Sequence, residues 1–392
     1  MVAETREGMV RYHLLEVIRA YAAEKLEASG EAAAVRERHA VYLLDLAQSA
    51  RDGMTGPAQA EWVRRLDLEH HNLRAALTWA LAAGEGELAL ELCASLSRFW
   101  YIRGYFREGR DWSARALAAA PDALPSTRAA MLHGAAALAI QHDLVAARPL
   151  IEASVALWRA DGSDRRGLAR SLTLLAILAR LGRDGATARA ACEEALAIYA
   201  EAPDPWGQWL ALGELGWVAE GQGDHTTARR LMEESLALAR GSGTPIDNAL
   251  QLNSLGTVAI RQGDAGGAMT RHREALLLTR ELGAREVMAG ALEGLAAVAA
   301  AREQYERAAR LLGVATALRA LIDSPPFAHY EVERRRIVPA VLRALGERAF
   351  AAAQAEGEAW PLEEAIAYAL EEPVAGAVSD DEARGHAARA SG

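Results

Sequence analysis

The chain has 392 residues, about half of them apolar, with four Phe, one lysine (Lys25) and a formal net charge of −10. That acidic balance argues against a face that grips nucleic acid, and the dominance of Ala, Leu, Arg and Glu, all strong helix formers, argues for an all-α fold. No apolar run reaches the roughly 18–20 residues of a membrane span, the first residues do not read as a signal peptide, and Cys93 and Cys192 form neither a CxxC pair nor a secreted disulfide framework, so a cytoplasmic protein is expected.

From Tyr12 to Ser29, Leu14, Leu15, Ile18, Tyr21, Ala22 and Leu26 recur at helical spacing and Gly30 follows as a stop signal, which predicts an amphipathic helix. A second helix is predicted over about Ala34 to Arg51. A third, about Ala58 to Ala83, carries Trp62, Leu66, Leu73, Leu77 and Trp79. The next, Glu87 to Arg103, ends in Phe99-Trp100-Tyr101 and pairs with Phe106 to Ala119 as a first helical hairpin.

From there a repeat is visible. Gly109-Arg110, Ala147-Arg148, Ala188-Arg189, Ala228-Arg229, Ala268-Met269 and Ala308-Ala309 follow one another at steps of 38, 41, 40, 40 and 40 residues. A fixed period in this range marks a solenoid, whose units bury their apolar faces only by stacking. The predicted turns are Gln141-His142-Asp143, Gly182-Arg183-Asp184, Gly221-Gln222-Gly223-Asp224, Gln262-Gly263-Asp264 and Arg302-Glu303-Gln304, with glycine as a left-handed C-cap and Asp as the next N-cap. Leu175-Ala176, Leu215-Gly216, Leu255-Gly256 and Leu295-Ala296 place small residues at one register, where two helices must approach closely. Pro149 and Pro339 fall inside predicted helices and call for a kink or a displaced helix start. After Glu372 the sequence loses periodicity and reads as a disordered tail.

The expected organisation is therefore a helical region over 1–84, helical repeats over 85–322, capping helices over 323–372 and a disordered tail over 373–392. The fold class is an all-α solenoid with a period of about 40 residues.

The Leu-Gly pair followed by Ala twelve residues later (Gly216 to Ala228, Gly256 to Ala268) is similar to the tetratricopeptide repeat, with a longer period than its standard unit. The flanks carry a more specific likeness. Arg11 to Leu26, Arg36 to Tyr42, Leu68 to Leu77, Phe99 to Gly104, Leu345 to Phe350 and Pro361 to Ile366 resemble the C-terminal arm of bacterial STAND-type ATPase regulators, the large LuxR-like and AfsR-like transcriptional regulators. The likeness covers about residues 10–371. In that family an NB-ARC-like module and a winged helix precede the arm, so the resemblance implies that Tyr12 to Leu26 ends the winged helix or links it to the arm. The chain has no GxxxxGK[ST] phosphate loop and too little sequence after Leu370 for a DNA-binding domain, so neither nucleotide hydrolysis nor DNA binding is carried over.

In tetratricopeptide proteins the first helix of each hairpin lines the concave groove. Carried over by register, this points to Arg170, Thr173, Ile177, Arg180, Trp217, Glu220, Asn253, Thr257, Arg261 and Glu293 as candidates to bind a protein, a peptide or a small effector. Trp100, Tyr101, Tyr105, Phe106 and Trp112 form an aromatic concentration that either packs as core or cap at the solenoid's end or serves as a docking patch for an ATPase module. The pairs His70-His71 and His133/His142 fit no metal or catalytic spacing, and no cofactor is expected. The reading is a non-enzymatic sensor and interaction arm of a STAND-type regulator; the alternative is a stand-alone scaffold that holds partner peptides.

Overall fold

The structure, a computed structural model, describes residues 2–6, 9–13, 15–140, 142–280, 282–322 and 328–371. Two strands, β1 (Val2–Arg6) and β2 (Met9–His13), pair antiparallel with Val2 opposite His13 and Arg6 opposite Met9. This corrects the expectation of a helix from Tyr12: the ladder takes up Tyr12 and His13, and helix α1 begins at Glu16. α1 (Glu16–Ser29) ends as expected on Gly30 at φ 75°.

Next come α2 (Ala32–Gly53) and α3 (Gln59–Ala83), then successive hairpins: α4 (Gly86–Arg103) with α5 (Phe106–Ala119), α6 (Pro125–Ala139) with α7 (Leu144–Asp161), α8 (Arg165–Leu181) with α9 (Gly185–Glu201), α10 (Pro205–Gly221) with α11 (His225–Ser242), α12 (Pro245–Arg261) with α13 (Ala265–Arg280) and α14 (Arg285–Ala301) with α15 (Tyr305–Ile322). α16 (Ala328–Leu345), α17 (Glu347–Ala359) and α18 (Leu362–Leu370) close the described chain. Beyond the short β1–β2 hairpin it is an all-α solenoid. The expected tail over 373–392 lies outside the described residues.

Local chemistry explains the punctuation. Asp143, Asp164, Asp184, Asp204, Asp224 and Asp264 each accept a backbone N–H from the first turn of the helix that follows, satisfying donors that a helix start leaves bare. The left-handed residue sits directly before the N-cap, where Gly223 and Gly263 have φ of 79° and 82°. In two turns the residue there is not glycine: Arg183 and Glu303 take φ of 64° and 60°, while Gly182 stays at −77°. α7 and α16 run through Pro149 and Pro339 without a displaced start.

The hairpins form two layers. In α14 every residue from Glu286 to Ala299 is buried, and α12 is nearly as enclosed. α11 and α13 bury one stripe each and leave the rest to solvent, as an amphipathic outer helix does. The first helices are thus the inner layer and the second helices the outer one. Between them His272 of α13 enters a slot made by two glycines: a Cβ on Gly256 would stand 2.5 Å from its ring, and one on Gly294 would also collide with it. Gly256 is the close approach the Leu-Gly register foretold, whereas Gly294 precedes the Leu295-Ala296 pair of that register.

Candidate functional site: the inward face

The inner helices carry polar residues, which must be satisfied where they are buried. From α8 to α10, Arg170 Nε donates to Asp204 at 2.6 Å and Arg180 Nε to Glu214 at 2.6 Å. From α12, Arg261 Nε donates to Glu333 of α16 at 2.6 Å and Nη1 to Glu220 of α10 at 3.3 Å. Trp217 lies between two of these cations, with the Arg180 and Arg261 guanidinium carbons 5.7 and 5.8 Å from its ring centre, and its Nε1 donates to Ser254 at 3.3 Å. Trp206 is flanked in the same way by Arg98 and Arg170, at 4.8 and 5.2 Å. Alternating guanidinium, carboxylate and indole groups therefore line the interior of the superhelix, each cation held by a charge and a ring face.

The remaining candidates are engaged internally. Thr173 donates to Ala169 O, and Thr257 to Asn253 O. Asn253 Nδ2 donates to Val287 O at 3.0 Å, and its Oδ1 accepts from His272 Nδ1 at 3.0 Å. Because an amide oxygen only accepts, the His272 proton lies on Nδ1. Burial, reinforced by Arg271, pushes its pKa down to about 3. Glu293 accepts two hydrogen bonds from Arg319, both at 2.8 Å. Ile177 is half-buried against Leu174 and Leu178. Of the predicted set, Thr173, Trp217, Glu220, Asn253, Thr257 and Glu293 are buried, and Arg170 and Arg180 retain partial exposure.

Charge partners that the sequence reading passed over complete the face: Arg98, Asp204, Glu214, Asp247, Glu286, Arg319 and Glu333. A signal for some of them exists, since Arg170/Asp204, Arg180/Glu214 and the outer pair Arg240/Glu274 all join residues 34 apart.

The aromatic concentration divides in two. Trp100 and Phe106 are core residues of the first hairpin, 1% and 0% exposed, which corrects their assignment to an exposed patch: the α4–α5 interface needs their area. Tyr101 is half-buried, and burial raises its phenol pKa. Tyr105 and Trp112 reach an open groove of ≈530 Å³ lined also by Arg74, Arg107, Glu108, Asp111, Arg115, Leu321 and Ile322. There His70 stacks on Tyr105 at 4.7 Å and meets Glu108 at 2.9 Å. Burial opposes ionisation of Glu108, but the hydrogen bonds from Arg74 and His70 outweigh it and hold its pKa down at about 2. Among the described residues no group of His, Cys, Asp and Glu could hold a metal ion, and no helix is long and apolar enough to cross a membrane.

The chain matches no protein-family model. Over 112 residues it is 42% identical to proteins of Mycobacterium bovis and Mycobacterium tuberculosis whose names assign them, provisionally, to the HTH-type transcriptional regulators. The match takes in 29% of this chain and 12% of each relative. Among solved structures, NprR in complex with its cognate peptide NprX superposes with a TM-score of 0.50 at 14% identity, over 78% of this chain and 87% of that one. BtubC of P. vanneervenii (TM-score 0.41, 20% identity, 57% and 91% of the chains) and the APC/C hetero-tetramer Cut9-Hcn1 (0.42, 17%, 76% and 59%) superpose less well. The likeness to NprR shows the fold, a tetratricopeptide-like α-solenoid, and the mycobacterial proteins place part of the chain among regulator-like sequences.

Proposed function

We propose that this chain is the non-enzymatic sensor and protein-interaction arm of a STAND-type transcriptional regulator, recognising a peptide, a protein segment or a small effector through its inner helices. The observation that carries this reading is the inward ladder of Arg170, Arg180, Trp217, Glu220 and Arg261. Apolar residues would close such an interior at lower desolvation cost, whereas guanidinium, carboxylate and indole groups can exchange their internal partners for those of a ligand. The regulator-like relatives and the peptide complex of the structurally similar NprR support the same assignment. By the same reading, the groove at Tyr105 and Trp112 receives a neighbouring module of the regulator.

A thermal-shift screen of the chain against peptides, metabolites and nucleotides tests this. A ligand at one hundred times its dissociation constant adds about 2.7 kcal/mol of stability. The expected result is a hit that Arg180→Ala and Arg261→Ala each weaken. Stabilisation that neither substitution changes would place recognition elsewhere and overturn the assignment.

A further inference from the structure

The N-terminal block crosses part of the inward face, on the side of α12, α14 and α15. Arg98 of α4 reaches across the interior, where Nη2 donates to both carboxylate oxygens of Asp247 on α12 at 2.9 and 3.0 Å. Asp247 is 1% exposed. Gln59 of α3 donates to Met54 O at 2.9 Å and accepts from Ile246 N at 3.1 Å, so a residue nearly two hundred positions away serves the first turn of α12. Arg103, held by Asp67, donates Nη1 to Leu282 O at 3.1 Å.

The apolar part of this seam is as close. The glycines that end α4 and α11 lie against side chains from the opposite side: a Cβ on Gly104 would stand 2.7 Å from Ile322, and one on Gly243 would stand 3.1 Å from Pro57. Both have positive φ, 72° and 71°. The stop signals of two helices thus double as the places where the two ends of the arm touch, and one apolar cluster runs from Leu43, Phe99 and Trp100 through to Ile246, Leu282 and Ile322.

We infer that α2–α5 form a clasp over α12, α14 and α15 that holds the interaction face closed, and that partner binding to the inner helices requires this clasp to open. This deepens the functional reading above and rests on it. Within each hairpin the helices adjoin in sequence and stay together in either state. The seam joins segments far apart in sequence, and its central contact, Arg98 with Asp247, is a desolvated ion pair. Such a pair adds little net stability while fixing one geometry, and interfaces of mixed polar character within a chain permit relative motion. Opening exposes Asp247 and Arg98 and adds them to the half-buried Trp206 and partly exposed Arg170 beside them, the groups a ligand would meet. A ligand that binds only the open form shifts the population by its differential affinity alone.

The test uses the 392-residue chain without any partner, so its outcome is separate from that of the ligand screen. Nitroxide labels are placed on Arg107→Cys and Leu321→Cys, which flank the seam groove; the native Cys93 and Cys192 are 0% exposed and do not compete for label. Pulsed dipolar spectroscopy should find one short distance in the parent. Arg98→Asp and Asp247→Arg should each move at least half of the molecules to longer distances with helix content kept, and the two together should restore the short distance. Ile322→Ala, which removes the contact with Gly104 and strands no charge, should give a smaller shift in the same direction. Unchanged distances in folded variants overturn the inference. So does loss of helix content in step with the distance in Ile322→Ala, because the seam would then belong to one indivisible core.

Discussion

Arg319 on α15 offers the sharpest test of how dry the interior is. Its Nε and Nη2 donate to the two oxygens of Glu293, and its Nη1 donates to Glu286, each at 2.8 Å. The three side chains are 5%, 3% and 1% exposed. Burial by itself lowers the pKa of the guanidinium, but the two carboxylates overcome it and raise the value. Arg319→Met keeps most of the volume and takes the guanidinium away from two desolvated carboxylates. Breaking a buried pair in this way costs about 3–5 kcal/mol, against a total stability of roughly 5–15 kcal/mol for a domain. The urea midpoint, followed by circular dichroism, should fall accordingly. Combining Arg319→Met with Glu286→Leu and Glu293→Leu removes all three charges and should recover most of the loss. If Arg319→Met alone costs under about 1 kcal/mol, water reaches the triad and the interior is not enclosed.

Three further outcomes follow from the same interior. His272 is buried and His133 half-buried, with pKa values pushed down by desolvation to about 3 and about 4 from an unfolded value near 6.5. The unfolded chain therefore binds more protons below pH 6.5, and stability present above that pH is lost as it falls toward the folded values, by about 2 kcal/mol per histidine at pH 5; chemical denaturation at pH 7 and pH 5 reads this, and His272→Gln should remove part of the difference. Arg183→Gly and Glu303→Gly relieve left-handed non-glycine residues and should each add about 1 kcal/mol of stability, read as a higher denaturation midpoint; a drop in either would mean that the turn holds its side chain for packing. Gly357→Ala would drive a Cβ into the backbone carbonyl of Arg310, where α17 crosses α15, and should cost about 1–3 kcal/mol in calorimetry or denaturation.

The period of about 40 residues, the Asp caps and Gly256 facing His272 were legible because they depend on neighbours within one or two hairpins. The candidates Arg180, Trp217, Glu220 and Arg261 were reachable by register for the same reason, and the structure sets Arg180 and Arg261 against the Trp217 indole with Glu220 on Arg261. The Arg98–Asp247 contact was not legible: it spans 149 residues and arises from the small rotation of each repeat summed over a superhelical turn, which no local pattern records. Trp100 and Phe106 were misplaced because a cluster of aromatics reads alike in a hairpin core and on an exposed patch. The β1–β2 pairing escaped notice because two five-residue segments give little periodicity to detect. The left-handed conformations of Arg183 and Glu303 carry no sequence signal, because Gly182 lies one residue before the left-handed position and no glycine marks the turn at 303.

The central claim is that recognition occurs on the inner helices, and locating a bound peptide tests it most directly. Peptides selected from a random display library for binding to the whole chain would be photo-crosslinked to variants carrying a reactive side chain at Ile177 on α8 or at Arg230 on the solvent face of α11. The account predicts crosslinks from position 177, weakened when Arg261→Ala is added, and little from position 230. Crosslinks confined to position 230 would put recognition on the outer layer and contradict it.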